Sequence, residues 1–259
     1  MNENIKHFIK NTPVYPCLRN LRTFLTKMQI PILREAHRKL HNENQLFYTL
    51  SPMLLIGIHK AFHMQQEWSI SGEGGNLLDG HAFYEFGLFR GFSFWFAEQI
   101  SRDIVSTDFK FYGFDSFVGL PESKTDIDPI YWVKGNYAAS YEFVLDQLKT
   151  NGSDLSKIQL YKGFYSKAYF DNLQNDKFLP ISICVIDSDI YESCVDVLEF
   201  IKKYIVPGSI LLFDDYNAFD KNDDHGERRA LREFEMRNPT FKKQHLFDFG
   251  WHGVAFRIL

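Results

Sequence analysis

The chain of 259 residues predicts an α/β fold: a mostly parallel sheet with helices on both faces. Three observations lead there. From about residue 79 onward, short apolar runs alternate with helical patterns. Almost every apolar run stops on a glycine or an aspartate. A closing pair of runs around Gly250-Trp251-His252-Gly253 reads as a hairpin-like end that adds an antiparallel strand to the sheet.

The elements follow in order. Strand 81–86 ends at Gly87, and an aromatic-rich helix covers 92–104. Strand 109–114 ends at Asp115, helix 138–150 stops near Asn151-Gly152, and strand 158–161 ends near Gly163. Strand Ile181–Ile186 runs into Asp187. Helix 190–205 sets Ile190, Cys194, Val197, Leu198, Ile201 and Ile205 close to one face. Pro207-Gly208 turns the chain into strand 209–213, which ends on Asp214-Asp215. Helix Gly226–Arg237 is stopped by Asn238-Pro239, and strands Lys243–Phe249 and 254–259 close the sheet. In open α/β sheets the ligand sits beyond the carboxyl ends of the strands, so these glycines and aspartates share one edge.

Upstream of this pattern, residues 1–75 read as a helical cap or dimerisation segment, and 76–259 as the core domain. Helical spacing recurs in 17–40, and 52–67 is a helix with Pro52 in its first turn. Ser71-Gly72-Glu73-Gly74-Gly75 separates the two regions.

Composition excludes several classes. Net charge is −4, which disfavours a nucleic-acid partner, because phosphate binding needs a basic surface. Cys17, Cys184 and Cys194 have no zinc-type spacing, and the latter two read as small buried residues. The longest apolar stretch, near Met53–Ile58, is too short to span a bilayer, and no signal peptide is visible, so a cytoplasmic location is expected. The 26 phenylalanines read chiefly as core packing.

Three motifs carry chemistry. Glu85-Phe-Gly87-Leu-Phe-Arg90-Gly91 places glycines after the first strand, where a backbone can approach a ligand at a helix start. Its GxxxG spacing differs from GxGxxG and disfavours a nicotinamide dinucleotide. Asp115, closing the second strand, is placed to accept hydrogen bonds from ribose hydroxyls, or else is a turn aspartate. Asp187 and the pair Asp214-Asp215 close neighbouring strands. Carboxylates gathered in one cleft repel, and a hard divalent cation such as Mg²⁺ resolves the conflict. Asp189 reads equally as a substrate contact or as the N-cap of the following helix, with Glu192 completing a capping box. His225 reads as a base or a solvated loop histidine, and Arg228 and Arg229 as anion holders or surface ion pairs. Trp132, Lys134 and Tyr137 fall in a loop that reads as a lid or as ordinary packing.

The stretches EFGLFRGFS (85–93), YGFDSFVGLPE (112–122), VIDSDIYES (185–193), PGSILLFDDYNA (207–218) and GERRALREF (226–234) resemble the macrocin-type (TylF-type) sugar O-methyltransferases in order and spacing. One departure is Phe92, where the family commonly has a second glycine. The resemblance implies a Rossmann-like class I methyltransferase fold: a seven-stranded sheet, mostly parallel, with an antiparallel last strand. It also implies S-adenosylmethionine as methyl donor and Mg²⁺-dependent transfer to a sugar or glycan hydroxyl. A phenol or catechol-type acceptor is the alternative. By position, Asp187, Asp214 and Asp215 become metal ligands, and Asp187 the base. The donor site is assigned to Glu85, Gly87, Arg90, Gly91, Ser93, Asp115, Ser116, Gly163 and Phe164. Asp189, Tyr191, Tyr216 and His225 are the expected acceptor contacts.

Overall fold

In the computed structural model, residues 47–73, 75–122, 132–173 and 177–259 are described. Helix α1 spans Pro52–Ser71 and precedes β1 (Ala82–Phe86), α2 (Phe92–Ser101), β2 (Lys110–Asp115), α3 (Tyr141–Thr150) and β3 (Ile158–Lys162). The chain continues through α4 (Lys167–Asn172), β4 (Ile181–Ile186), α5 (Tyr191–Ile201), β5 (Ile210–Phe213), α6 (Gly226–Arg237), β6 (Lys243–Phe249) and β7 (Gly253–Ile258). The strands form one seven-stranded sheet in the order β3-β2-β1-β4-β5-β7-β6. All neighbours through β5 are parallel, and β7 runs antiparallel between β5 and β6. This is the class I methyltransferase sheet that the sequence leads one to expect.

The strands are apolar almost throughout because both faces are covered. Alternate residues divide between two cores. Tyr84, Phe86, Tyr112, Phe114, Cys184 and Ile186 pack under α5 and α6 with Cys194 and Phe234. Phe83, Phe111, Ile183, Val185 and Leu212 pack under α1, α2 and α3 with Phe62, Phe94 and Val144. The phenylalanines are mostly packing material, as Phe86 and Phe114 stack at 4.5 Å and Phe170 and Phe200 at 4.3 Å. Each fully buried ring contributes about 1.5–3 kcal/mol through apolar burial.

Local chemistry sets the ends of the elements. Pro52 occupies the first turn of α1, and Gly72, left-handed at φ 78°, closes it four residues later than the spacing predicts. Ser140 caps α3 by accepting from the Phe143 amide, so that helix begins at Tyr141 rather than near 138. Helices expected over 92–104 and 190–205 stop at Ser101 and Ile201, and turns anchored on those carbonyls carry the chain on to Val105 and Ile205. The one-and-a-half-turn α4, capped by Ser166, was not foreseen, because six residues are too few to show a period.

Helix α1 lies within the segment read as a cap, yet it packs directly on the sheet. Gln65 donates to the carbonyls of Ser182 and Gly208 at 3.0 Å each, and Gly57 sits tightly against Leu212 and Phe249, whose side-chain carbons lie 3.0 Å from where a Cβ would stand. The helical spacing read in 17–40, and Cys17, lie outside the described residues. Among the described residues, no helix is long and apolar enough to cross a membrane.

Candidate functional site

Register brings the chemical residues together. Phe86 pairs with Phe114 on one side and Ile186 on the other, and Ile186 pairs with Phe213. The residues that follow are therefore level: the amides of Gly87, Asp187 and Asp214 donate to Phe114, Phe86 and Ile186 at 2.9–3.1 Å. Strand order reverses between β1 and β4, where a crevice opens. A cleft of about 340 Å³ occupies this place.

On the β1 side, the glycines are fixed by packing. Gly87 has φ 91°, and a side chain there would strike the Asp187 carbonyl oxygen at 1.8 Å. Gly91 (φ 78°) lies against Val144, which a side chain would meet at 2.8 Å. The GxxxG spacing thus records close approach to β4 and α3 as well as any ligand demand. Asp115 buckles the loop: Oδ2 accepts from the Leu88 and Phe89 amides at 2.8 and 3.0 Å, and Oδ1 from Phe117 at 2.6 Å. Burial raises its pKa, and these amides pull it back in part. Behind the loop, Glu85 is wholly buried, with Oε1 accepting from Ser93 at 2.5 Å and Oε2 without a hydrogen-bond partner. Burial pushes its pKa up to about 8.

Gly87, Ser93, Asp115, Ser116, Gly163 and Phe164, all expected at the donor, line the cleft. Glu85, Arg90 and Gly91 sit behind that lining. Arg90 is buried, with its guanidinium 4.4 Å from the Tyr48 ring centre and 4.6 Å from that of Phe89. Phe92 also lines the cleft and packs against Phe47 and Trp95, so aromatic packing fills the place of the family's glycine.

The β4–β5 side is acidic. Carboxylate oxygens of Asp187, Asp189 and Asp215 lie within 4.8 Å of one another. Burial, followed by Asp214, Asp189, Asp215 and Glu227 in that order, pushes the Asp187 carboxyl well above its ordinary range. Asp215 is raised likewise, by burial first and then by Asp189, Asp214 and Glu227. Asp214 lines the same cleft but turns to Ser51, whose hydroxyl donates to its Oδ2 at 2.6 Å; burial raises it to about 6. The set that gathers therefore includes Asp189, and Asp214 stands beside it.

Asp189 is not the N-cap of α5. That position belongs to Ile190, with no side-chain cap, while Asp189 sits in the left-handed region at φ 58°. This backbone is uncommon for a residue with a side chain and is held here by the surrounding fold.

Three expected acceptor contacts lie outside the lining. Tyr191 donates to Glu233 at 2.5 Å beneath Arg229. Tyr216 packs on Phe213 and Phe256 under Arg228. His225 occupies the N-cap position of α6 against Phe219. The arginines pair with Asp223 and Glu233, as surface ion pairs do. Trp132 and Tyr137 line the cleft, and Lys134 pairs with Glu122 in solvent.

Two features went unforeseen. Tyr48, Thr49, Leu50 and Ser51 form a strap along the cleft. Ser51 precedes Pro52 at the start of α1, but no side-chain cap forms and its hydroxyl reaches Asp214 instead. Glu227 lies in the first turn of α6, where an acidic residue favours a helix start. It is wholly buried, accepts from the Asp215 amide at 3.1 Å, and leaves Oε1 without a hydrogen-bond partner.

Known proteins are similar to this chain at three levels. The model of the macrocin O-methyltransferase (TylF) family matches residues 75–258. A rhamnosyl-tetracenomycin C 4'-O-methyltransferase of Streptomyces olivaceus is 26% identical over 138 residues; the match takes in 51% of each chain, so it spans about half of that relative's length. The O-methyltransferase NovP superposes with TM-score 0.63 at 16% identity, covering 91% of this chain and 98% of that one. Calicheamicin methyltransferase CalS11 gives 0.61 at 19%, covering 99% and 97%. TomG of Streptomyces achromogenes, solved in complex with SAM, gives 0.54 at 13%, covering 87% and 88%. These likenesses show the fold, and the family match covers most of the chain: the chain belongs to the macrocin O-methyltransferase (TylF) family.

Proposed function

We propose that this protein transfers a methyl group from S-adenosylmethionine to a hydroxyl of a sugar on a glycoside or glycan, with a divalent cation held by its acidic floor. The observation that carries this reading is the gathering of Asp187, Asp189 and Asp215 in the same cleft as the Gly87 loop. Family membership supports the methyl donor, and the sugar acceptor named for the tetracenomycin relative supports the substrate class.

The donor set fits a hard cation. Every gathered group is a carboxylate, and their pKa values are driven upward by burial and by one another. Asp187, Asp215 and either Asp189 or Asp214 would hold Mg²⁺. When bound, such an ion lowers the pKa of a coordinated hydroxyl and neutralises the floor.

The chain's own residues then divide the work. Gly87, Ser93, Asp115, Ser116, Gly163 and Phe164 make the donor wall. Asp187 lies between that wall and the floor, where its carboxylate is placed to take the acceptor's proton. Tyr48, Leu50 and Trp132 give the cleft an apolar and aromatic side on which a sugar ring can rest and from which water is excluded. Among the described residues the lining has aspartates but no lysine or arginine, which favours an uncharged acceptor over one bearing phosphate.

The test is methyl transfer from labelled donor to a panel of neutral glycosides, nucleotide sugars and catechols, with Mg²⁺ and with chelator. Turnover of glycosides that chelator abolishes and Mg²⁺ restores is expected. Full turnover in thoroughly demetallated enzyme would remove the cation from the reading, and turnover of catechols alone would replace the sugar.

A further inference from the structure

On α1, outside the cleft lining, His59 and His63 are both exposed and lie one turn apart. Their spacing puts both rings on one helix face. The rings meet at a centroid distance of 4.3 Å, with Nε2 facing Nε2 at 3.1 Å. That separation has a chemical meaning beyond a shared proton. With metal–nitrogen bonds of about 2.0–2.1 Å, two imidazole ligands at right-angled or tetrahedral positions have their nitrogens about 2.9–3.4 Å apart. The pair already stands at chelating distance.

The surroundings favour a cation here. Lys60, the neighbouring positive charge, is drawn away over the Phe247 ring at 5.1 Å. Glu67 is exposed one turn beyond His63 and adds negative charge to the same side of the helix. The ligand chemistry differs from that of the acidic floor: imidazole suits Ni²⁺, Zn²⁺ and Cu²⁺, whereas clustered carboxylates suit Mg²⁺ and Mn²⁺.

The geometry points to a second metal site, independent of the cleft, in which His59 and His63 chelate one divalent transition-metal ion through Nε2, with water completing the shell. The site would clip one turn of the helix whose start, at Ser51, holds Asp214.

The experiment is calorimetric titration of the full, tag-free chain with Ni²⁺, with Mg²⁺ present in large excess to occupy the carboxylates. One ion per chain should bind in the micromolar range and raise the melting temperature. H59N and H63N should each weaken that binding at least tenfold, with methyl transfer in Mg²⁺ alone unchanged. H245N, at another exposed histidine, and Asp187→Asn should leave it intact. No binding tighter than millimolar would overturn the assignment. So would binding that survives both histidine substitutions, or that Asp187→Asn removes, which would place Ni²⁺ on the acidic floor.

Discussion

The two sides of the cleft use carboxylates in opposite ways. Asp115, on the β2 side, faces three backbone amides, each a donor that lowers the cost of burying its charge. Asp187, Asp189 and Asp215, on the β4–β5 side, face one another. The first arrangement is complete within the protein and holds a loop in shape. The second is left in electrostatic conflict, which a proton or a cation relieves. Identical side chains beyond the strand ends thus do structural work in one place and, on the proposed reading, hold a cation in the other.

The largest expected effect breaks the conflicted side. Asp187→Asn keeps shape but removes a charge and the candidate base. Methyl transfer should fall by about 10²–10⁴-fold, the usual worth of a positioned base. Affinity for S-adenosylhomocysteine should change little, and the metal-free melting temperature should rise, because a repelling charge has gone. A comparable loss of donor affinity, measured by calorimetry, would mean that Asp187 belongs to the donor wall.

Asp115→Ala should do the reverse. It strands the amides of Leu88, Phe89 and Phe117, and each buried amide left without an acceptor costs about 1–3 kcal/mol. The metal-free protein should melt lower, and donor affinity should drop about tenfold or more as the loop loosens. If Asp115 serves only ribose hydroxyls, affinity drops while the melting temperature of the free protein stays put. Calorimetry and a thermal scan together separate the two roles.

Ser51→Ala tests the join between the strap and the floor. Its hydroxyl is a donor to Asp214, and a hydrogen bond to a charged group is worth about 1.5–3 kcal/mol at most. Mg²⁺ affinity should shift by about a hundredfold at most, with Ser51→Thr restoring it. A change in donor affinity instead would place the strap's effect at Phe89 and Arg90, which Tyr48 touches.

The same comparison explains what the sequence could disclose. Alternation of period and the residues ending each strand placed Gly87, Asp115, Asp187 and Asp214 on one edge, because strands that alternate with helices run parallel and end on the same side. Which oxygen meets which donor does not follow from pattern. Asp115 was legible as a strand-end acid, but its amide partners come from a loop conformation set by Gly87 and Gly91. Glu227 and Ser51 were hidden for a related reason. Each has an ordinary local explanation, as a helix-start acid or a cap, and only long-range packing turns it toward the floor. Tyr191, Tyr216 and His225 drew notice by lying near motifs in sequence, yet on α5, just past β5 and at the start of α6 their side chains find partners away from the cleft.

Glu85→Gln perturbs the molecule least and isolates one charge behind the donor wall. The glutamate is wholly buried, with one oxygen held by Ser93 and the other unpartnered, and its pKa is pushed from 4.5 to about 8. Burial is the main cause, with Asp115 and then Asp214 adding repulsion, while the Ser93 bond pulls the other way. The raised value fixes the sign of the pH dependence. Below pH 4.5 the group is protonated in folded and unfolded chains alike, and its contribution is fully present. Between 4.5 and 8 only the folded chain keeps the proton, so stability falls as pH rises. Above 8 both states are ionised and the buried charge is carried in full. Glutamine retains an acceptor for Ser93 and never ionises. In chelator, the variant and the wild type should therefore melt close together near pH 5, with the variant pulling ahead as pH approaches 9. S-adenosylhomocysteine affinity near pH 6 should be nearly equal in the two. A melting difference that stays constant across this range would show that Glu85 is not the group that titrates, and the slope would then belong to the acidic floor, where Asp187→Asn should flatten it.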